Sequence, residues 1–508
     1  MEQEAALRWW ETRWFALAAI LASCLPLLWP ALPPLIDLPA HIGRYHIASA
    51  IEHSADLQRH WTYHWALIGN LGVDGIVYAL TPLLGVEAAA KWTIVAIPLL
   101  TTAALAWLSR ESGGRMSPAT LAAFPLAYSY AFIFGFVNFT LASALAIAAL
   151  ALWIRLGRQH RFGLRAALFV PISFLLWLAH SFGWGMFGLF AFAAELGRLR
   201  TEGKTWRAAL LGSILVCIPL GGPALLTLHT QYSAVVYYQW SAKPGWVASL
   251  LRDRWKAFDV ASVLAIALLL YTCLRTRGWR FDPTTGAAAL IGLVVFLVFP
   301  FTVAAGAYAD MRLLGPAVAI AIVAIRPPAR WERAVAIGAT AFFVLRTAAG
   351  TVSMLIASQP QQQALEAVAH LPRGAAVLVL AQENCATSWV SRRLAHISGI
   401  AIARRDIFET AQWTLAGQQL LRHRHEQAEP YASDPSELVY PVGCAYRPTD
   451  PEAAIRDFDR GTFTHVWVIG FRPQPALARD VKLEWSNGMS SIYRVDHIAG
   501  LSGSAGQR

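Results

Sequence analysis

Long apolar runs, repeated along the chain, constrain its fold more than any other feature. A helix needs about 20 apolar residues to cross the ~30 Å hydrocarbon core of a bilayer. Apolar segments of nearly this length cover residues 14–32, 90–108, 117–134, 138–154, 166–180, 182–197, 208–226, 258–274, 285–306, 312–326 and 333–355. Only 14% of the residues are charged, whereas soluble domains carry about 25%. The sequence therefore predicts an all-α polytopic membrane protein with about 11 transmembrane helices.

Basic residues lie in alternate connections between these segments. Arginine and lysine cluster after the second, fourth, sixth, eighth and tenth segments, and Arg8 and Arg13 precede the first. Basic loops of membrane proteins stay in the cytoplasm, so we expect a cytoplasmic N-terminus. The first segment has the charges of a signal peptide, but its apolar run continues past Cys24, which favours an uncleaved helix. The net charge of +11 follows from this topology, and we expect no nucleic-acid partner.

The rest of the alternation places residues 33–89, 227–257 and the tail outside the cytoplasm. In the tail, "GAAVLVLAQ" and "THVWVIGF" are typical of buried strands, and "VKLEWSNGMSSIYRV" is typical of a hairpin. "QQQALEAVAHLP" predicts a helix before the first strand. We therefore predict a transmembrane domain over 1–355, which includes the outer loop 33–89, and an extracytoplasmic α/β domain over 360–508.

Polar residues at the outer ends of the apolar segments form the main functional pattern. They are Asp37, Asn138, His180, Asp310 and Arg312. Such groups cost about 2.5–3.5 kcal/mol at membrane depth and often mark a functional cavity. Each also has a structural interpretation: Asn138 could cap the fourth helix, His180 could be a satisfied structural histidine, and Asp310 could pair with Arg312. Because all five map to one membrane face, we expect them to line a common site.

The stretch "IDLPAHIGRYHIA" adds two residues to this pattern. In a helix that begins at Asp37, the side chains of Asp37, His41 and Arg44 lie on one face. One interpretation is a reaction centre at the lipid–water boundary. The alternative is that Asp37 only caps the helix and Arg44 contacts lipid headgroups.

The outer loops hold further basic residues. His46, His53 and His60 recur every seven residues, a spacing of about 10.5 Å in a helix, too long for one metal ion. They predict a helix lying on the membrane surface. His60 and His64 could share a metal, but no carboxylate stands beside them. The aromatic loop around Lys243 is either an interfacial belt or a groove for a lipid-linked phosphate or a sugar.

Five cysteines fall into two groups. Cys24, Cys217 and Cys273 lie in apolar segments, and we expect free thiols there. Cys385 and Cys444 share the outer domain, where an oxidising compartment favours a disulfide between them.

These features together resemble the GT-C superfamily, polytopic membrane glycosyltransferases that use polyprenyl-phosphate sugars. The resemblance rests on "IDLPAHIGRYHIA", "GFVNFTLASALAIAALALW", "LAHSFGWGMFGLFAFAAEL" and "ADMRLLGP", which look like segments of bacterial members. It implies an enzyme of the bacterial inner membrane that acts on a glycan, lipid or protein acceptor. It also implies that Asp37 is the general base or a metal ligand, with Arg44 and Arg312 on the lipid phosphate.

The chain departs from the superfamily at one position. Many members carry paired acids in the first outer loop, but Asp37 stands between Ile36 and Leu38. A metal-dependent mechanism is therefore not expected, and no cofactor is expected. We expect His41 to orient Asp37 or the phosphate, and Asn138, His180, Asp310 and Lys243 to contact substrate. The alternative function is a non-catalytic lipid or glycan transporter or an assembly scaffold, which would need the same polar cavity without a proton-accepting acid.

Overall fold

The computed structural model of the chain describes most of its residues. It describes residues 8–229, 235–304, 306–383, 389–414, 418–425, 428, 437–441, 444, 450–474 and 480–496. The predicted apolar segments are helical for most of their length.

Five helices in the described part of the chain are long and apolar enough to cross a membrane. They are Val86–Gly113, Val137–Arg158, Phe162–Ala179, Lys256–Arg275 and the helical stretch Ala329–His370. Shorter apolar helical stretches are Arg13–Leu28, Gly72–Leu84, Thr120–Phe134, Trp206–Leu220 and Pro283–Val298. The helices Ser181–Thr201 and Ala309–Val323 cover the remaining predicted segments. The predominantly helical architecture is confirmed, and the number of eleven crossings stays a prediction.

The helix Val137–Arg158 lies at the centre of the bundle, and most of its residues are buried. It packs against Val86–Gly113 and Ser181–Thr201. Small residues allow this close approach: a side chain in place of Gly183 would come within 2.5 Å of the Ala142 Cβ. Small residues at helix contacts are common in membrane proteins because dispersion forces must hold the helices together.

The helix Gly72–Leu84 was not predicted from the sequence. Its 13 residues lie in the predicted outer loop, and Pro82 interrupts its last turn. A run this short is difficult to separate from a loop by hydropathy alone. The helix matters because it carries the buried Asp74.

The C-terminal region contains the expected strands. Ala376–Gln382 and His465–Ile469 are parallel neighbours, and Val481–Ser486 pairs with Ser490–Val495 in a hairpin that turns at Asn487 and Gly488. The sheet order is Val481–Ser486, Ser490–Val495, His465–Ile469, Ala376–Gln382 and Phe408–Glu409, and Leu438–Val439 also pairs with Ala376–Gln382. The short helices Gly399–Arg405 and Pro451–Asp457 lie in this region. The strand-containing C-terminal domain is confirmed.

One helix connects the two predicted domains. Ala329–Leu365 is continuous and is followed by the 3-10 helix Glu366–His370. Residues 355–360, where we placed the boundary, lie inside this helix. The predicted helix over 361–372 is therefore the end of a membrane-length helix together with its 3-10 extension.

The first outer loop is attached to the C-terminal domain, which corrects one prediction. Trp61–Tyr63 pairs with Leu421–His423 in an antiparallel ladder. His46 Nε2 lies 2.7 Å from Asp406 Oδ1, and His60 Nδ1 lies 2.8 Å from His425 Nε2. The prediction that these histidines mark a helix on the membrane surface is wrong, because two of them face the C-terminal domain.

The cysteine predictions are confirmed as far as the described residues reach. Cys24, Cys217 and Cys273 are free. Cys444 is disulfide-bonded. Cys385 lies outside the described residues, so its pairing with Cys444 stays a prediction.

Two small β-ladders brace opposite ends of the helices. Val236–Tyr237 pairs with Thr302–Val303 next to the start of the helix Ala309–Val323. Arg280–Phe281 pairs with Ile325–Arg326 just beyond its end. The first ladder therefore adjoins Arg312, and the second lies at the far end of the same helix.

Candidate active site

The backbone of Asp37 is held by an irregular segment of the third predicted span. The amide N–H groups of Ile36 and Asp37 donate to the carbonyl oxygens of Ile133 and Phe134, at 3.2 and 3.0 Å. Gly135 lies against Asp37 with φ of +102°, and a Cβ there would meet the Asp37 nitrogen at 2.7 Å. Glycine is therefore required at this point both by conformation and by close approach.

Asp37 does not cap the helix that follows it. The helix Leu38–Ala50 has Pro39 in its first turn, and the Asp37 side chain accepts no capping hydrogen bond. The alternative that Asp37 only caps this helix therefore lacks the capping hydrogen bond that it requires. The side chain is buried, with 4% of the residue exposed, and it borders a cavity.

This cavity has a volume of about 200 Å³ and lies at one end of the helices. Its wall includes Asp37, His41, Asn70, Phe134, Phe136, Val137, Asn138, Phe139, His180, Gly306, Ala307, Tyr308, Arg312, Trp413, Gln418 and Gln419. Five of the eight predicted site residues therefore share one wall, although they come from distant parts of the sequence. Arg44, Lys243 and Asp310 are not among its lining residues.

Arg312 carries the positive charge of the cavity. Its guanidinium lies 4.3 Å from the centre of the Phe136 ring, a cation–π contact. The Arg312 side chain makes no hydrogen bond or ion pair with another described residue. Its Nε is buried without a hydrogen-bond partner among them. Its charge interacts with that of Asp37 across the cavity. Arg312 can therefore receive an anionic group without giving up a hydrogen bond or ion pair to another described residue.

His41 lies one helical turn beyond Asp37. Burial lowers the pKa of His41 well below its usual value, and the positive charge of Arg44 lowers it further. The ring is therefore neutral near pH 7. It lies 5.6 Å from the Trp413 ring of the C-terminal domain. A neutral imidazole in this position can donate or accept a hydrogen bond without adding charge to the site.

His180 has both of the roles that the sequence left open. Its Nδ1 accepts a hydrogen bond from the Phe182 amide at 3.1 Å, so it caps the helix Ser181–Thr201. Its ring also lines the cavity, edge-on to Phe139 at 5.8 Å. Because Nδ1 is an acceptor, a neutral ring carries its proton on Nε2, which is then available as a donor.

Asn138 caps a helix, but not its own. Its Oδ1 accepts from the Val73 amide at 2.6 Å, in the first turn of Gly72–Leu84. Its Nδ2 donates to Asp74 Oδ2 at 2.8 Å and to the Asn70 carbonyl at 2.8 Å. The alternative that Asn138 caps the fourth predicted helix is wrong, since that helix already includes Asn138 and has Phe136 at its N-cap.

Arg44 is held by Asp74 and does not line the cavity. Its Nε and Nη2 donate to the two carboxylate oxygens of Asp74 at 3.0 and 3.1 Å, and only 2% of Arg44 is exposed. A bidentate pair of this kind occupies the face that would bind phosphate. The structure therefore gives no support to phosphate binding by Arg44, which instead connects the helices Leu38–Ala50 and Gly72–Leu84.

Lys243 and Asp310 form a second buried ion pair. Lys243 Nζ donates to Asp310 Oδ2 at 2.6 Å and to the carbonyl oxygens of Phe299 and Phe296 at 2.7 and 2.9 Å. All three ammonium donors are therefore used. The structural alternative, a pairing of Asp310 with Arg312, is not found. Lys243 and Asp310 instead secure the start of the helix that carries Arg312.

The C-terminal domain supplies a wall that the sequence did not predict. Trp413, Gln418 and Gln419 line the cavity. Gln418 Nε2 donates to the Ala304 backbone carbonyl at 2.8 Å. The backbone carbonyl of Gln418 accepts from Asn70 Nδ2 at 3.2 Å. Asp74 could have been identified from the sequence as an acidic residue within an apolar stretch. No local sequence pattern distinguishes Trp413, Gln418 and Gln419.

Metal binding has no clear set of ligands here. The described residues contain no group of three histidine, cysteine, aspartate or glutamate side chains able to hold a metal ion. Asp37 is one carboxylate among aromatic and amide neighbours, a poor match to the oxygen-rich shells of Mg²⁺ or Ca²⁺. The expectation of a metal-independent site stays a prediction.

Comparisons with known proteins find similarity in structure only. No family model matches the chain, and no curated protein matches it in sequence. ArnT from Cupriavidus metallidurans in the apo state has 11% identity, with 94% of this chain and 96% of that chain covered and a TM-score of 0.48. The same protein bound to undecaprenyl phosphate has 13% identity, coverage of 96% and 98%, and a TM-score of 0.49. Along almost its whole length, this chain is thus similar to ArnT.

Proposed function

We propose that the chain is a membrane glycosyltransferase that moves a sugar from a polyprenyl-phosphate donor to an extracytoplasmic acceptor. The observation that carries this proposal is that Asp37 and Arg312 line one small cavity whose wall includes five phenylalanine, tyrosine and tryptophan side chains. The first is a proton acceptor and the second is a phosphate-binding cation. They occur at the end of apolar helices, where a lipid phosphate lies at the boundary between hydrocarbon and water.

The size and lining of the cavity favour a single sugar unit. Its volume of about 200 Å³ is below the ~300–1,000 Å³ of typical drug-sized sites. Aromatic rings of Phe134, Phe139 and Trp413 suit the apolar faces of a sugar, and Asn70 and Gln418 offer hydrogen bonds to its hydroxyl groups. Among the described lining residues Arg312 is the one arginine or lysine, which suits a donor with one phosphate.

The reaction that this geometry supports is a direct displacement at the anomeric carbon. Asp37 accepts the proton of the acceptor hydroxyl while the acceptor oxygen forms a bond to that carbon. The bond between the anomeric carbon and the phosphate oxygen breaks, and its electron pair leaves with the polyprenyl phosphate. Arg312 stabilises the negative charge of this leaving group. Neutral His41 orients the Asp37 carboxylate or the phosphate by hydrogen bonding.

The change Asp37→Asn tests the role of the acid. A general base contributes about 10²–10⁴-fold to rate, so we expect transfer to fall at least ~100-fold in proteoliposomes supplied with lipid-linked sugars from native membranes. Binding of polyprenyl phosphate should persist, because Arg312 remains. Melting temperature should stay near that of the wild type, since asparagine keeps the size of the side chain and an oxygen that accepts hydrogen bonds.

The control variant replaces an acid of the same loop that does not line the cavity. Glu52→Gln removes an exposed acid from the same loop and should leave transfer unchanged. Near-normal transfer by Asp37→Asn would remove the acid from the mechanism. That result would favour the transporter or scaffold, which needs only a polar cavity.

A further inference from the structure

Another cavity, larger than the first, lies at the opposite end of the helices from the candidate active site. It has a volume of about 590 Å³ and includes Arg115, Arg280, Arg326, Asp282 and Glu332 in its wall. The helix Ala309–Val323 runs between the two sites, with Arg312 near its start and Arg326 just beyond its end. The 14 intervening steps correspond to about 20 Å. By the arginine pattern of the sequence, this end is the cytoplasmic one.

The arginines of this cavity come from three separate connections. Arg115 follows the second predicted span, Arg280 the eighth and Arg326 the tenth. The like charges of Arg115 and Arg280 both act on Arg326, as does the opposite charge of Asp282. Three guanidinium groups in the wall of one cavity repel one another. An anion in the cavity would relieve this repulsion.

The acids of the cavity are already engaged. Asp282 Oδ1 accepts from the backbone N–H and the hydroxyl of Thr285 at 2.9 and 2.8 Å, as the cap of the helix Pro283–Val298. Glu332 pairs with Arg115 at 2.6 Å and also with Arg8. Neither acid makes an ion pair with Arg280 or Arg326 in the described part of the chain. The wall therefore keeps uncompensated positive charge.

The two remaining arginines are held differently. Arg326 Nη1 donates to the Val323 and Ile325 carbonyl oxygens at 2.7 and 3.0 Å, and Nη2 donates to Ser112 Oγ at 2.9 Å. Its charge is thus fixed at the ends of two helices. The Arg280 side chain is exposed and makes no hydrogen bond or ion pair with another described residue, although its backbone pairs with Arg326 in the β-ladder. A ligand would therefore meet one fixed cation and one adjustable cation.

We infer that this cavity binds a phosphate group, independently of what occupies the candidate active site. Basic pockets between membrane helices on the cytoplasmic side are suited to anionic lipid headgroups. The same chemistry would accept a free phosphate compound from the cytoplasm. The two sources differ in whether the phosphate is attached to a lipid, which an experiment can distinguish.

The test compares two arginine variants of the full chain in neutral detergent. Arg280→Gln removes the adjustable cation, and Arg277→Gln removes an exposed arginine of the same loop that does not line the cavity. Affinity for phosphatidylglycerol, measured by native mass spectrometry, should fall about tenfold more in Arg280→Gln, because a charge-assisted hydrogen bond is lost. Equal losses in both variants would reduce the effect to general surface charge and overturn the inference.

A second arm identifies the source of the phosphate. The wild-type melting temperature is measured with phosphatidylglycerol, with phosphatidylcholine, and with inorganic phosphate against chloride at equal ionic strength. Both measurements are repeated on Arg280→Gln. Stabilisation of the wild type, but not of Arg280→Gln, by phosphatidylglycerol above phosphatidylcholine assigns the cavity to an anionic lipid, and the same difference with inorganic phosphate assigns it to a free phosphate compound. Equal stabilisation of the two proteins would place the phosphate elsewhere and overturn the inference. No stabilisation by either, relative to its control, would overturn the inference.

Discussion

The candidate cavity and the two ion pairs beside it contain similar residues in opposite situations. Two ion pairs are buried, and within each pair the two side chains are hydrogen-bonded: Arg44 with Asp74, and Lys243 with Asp310. In the cavity, the Arg312 guanidinium lies over an aromatic ring, shares the wall with Asp37 and makes no ion pair with a described residue. Charges that satisfy each other fix helices in place, whereas charges that face a common space can act on a ligand. The paired residues are therefore expected to govern stability and the cavity residues to govern turnover.

Breaking the Arg44–Asp74 pair should have the largest effect on stability. Arg44→Met leaves Asp74 as a buried charge without its main partner, which costs about 3–5 kcal/mol. We expect a marked fall in the melting temperature of the purified chain. The double variant Arg44→Met with Asp74→Leu removes both charges and should recover much of that loss. Failure of the double variant to recover would mean that the pair is not the source of the stability.

Removing the cavity cation should affect binding more than stability. Arg312→Gln loses a charge-assisted contact to phosphate of about 1.5–3 kcal/mol, which corresponds to a loss of roughly 30-fold in affinity for polyprenyl phosphate. The melting temperature should change little, because Arg312 makes no hydrogen bond to another described residue. A large fall in melting temperature with unchanged affinity would place Arg312 among the structural residues.

Gly135 links the position of Asp37 to the backbone. Gly135→Ala places a Cβ against Asp37 and strains a positive φ, a cost of about 1–3 kcal/mol. We expect transfer to fall about tenfold, because small displacements of a reacting group are costly. Gly203→Ala is the matched control, since Gly203 has a φ of +80° with no atom within 4 Å of the added Cβ. Equal losses of activity in both variants would contradict a positional role.

The smallest expected effect concerns the histidine pair that connects the first outer loop to the C-terminal domain. Burial and the charge of His60 lower the pKa of His425 to about 4, and burial lowers the pKa of His60. The unfolded chain, with histidine pKa values of about 6.5, therefore binds more protons than the folded chain. Stability should fall as the pH drops below about 6.5, and His425→Gln should reduce this slope in melting curves from pH 7 to 5. An unchanged slope would exclude the pair as its source.

The sequence predicts the bundle well because hydropathy alone identifies helices of membrane length. It also predicts which polar residues lie at one end, since segment ends alternate between the two faces. It does not predict partners: Asp310 pairs with Lys243, 67 positions away, and not with nearby Arg312. The short helix Gly72–Leu84 escapes detection by length, and Trp413 reaches the cavity through tertiary packing that leaves no local pattern.

We propose that Asp37 acts on substrate, whereas Asp74 stabilises the fold through its ion pair with Arg44. The most direct test measures glycosyl transfer and melting temperature for Asp37→Asn and Asp74→Asn in the same proteoliposome preparation. We predict that Asp37→Asn cuts transfer at least ~100-fold at near-normal melting temperature, and that Asp74→Asn lowers the melting temperature with any loss of transfer following from it. Near-normal transfer by Asp37→Asn, or abolished transfer by Asp74→Asn without loss of stability, would contradict this account.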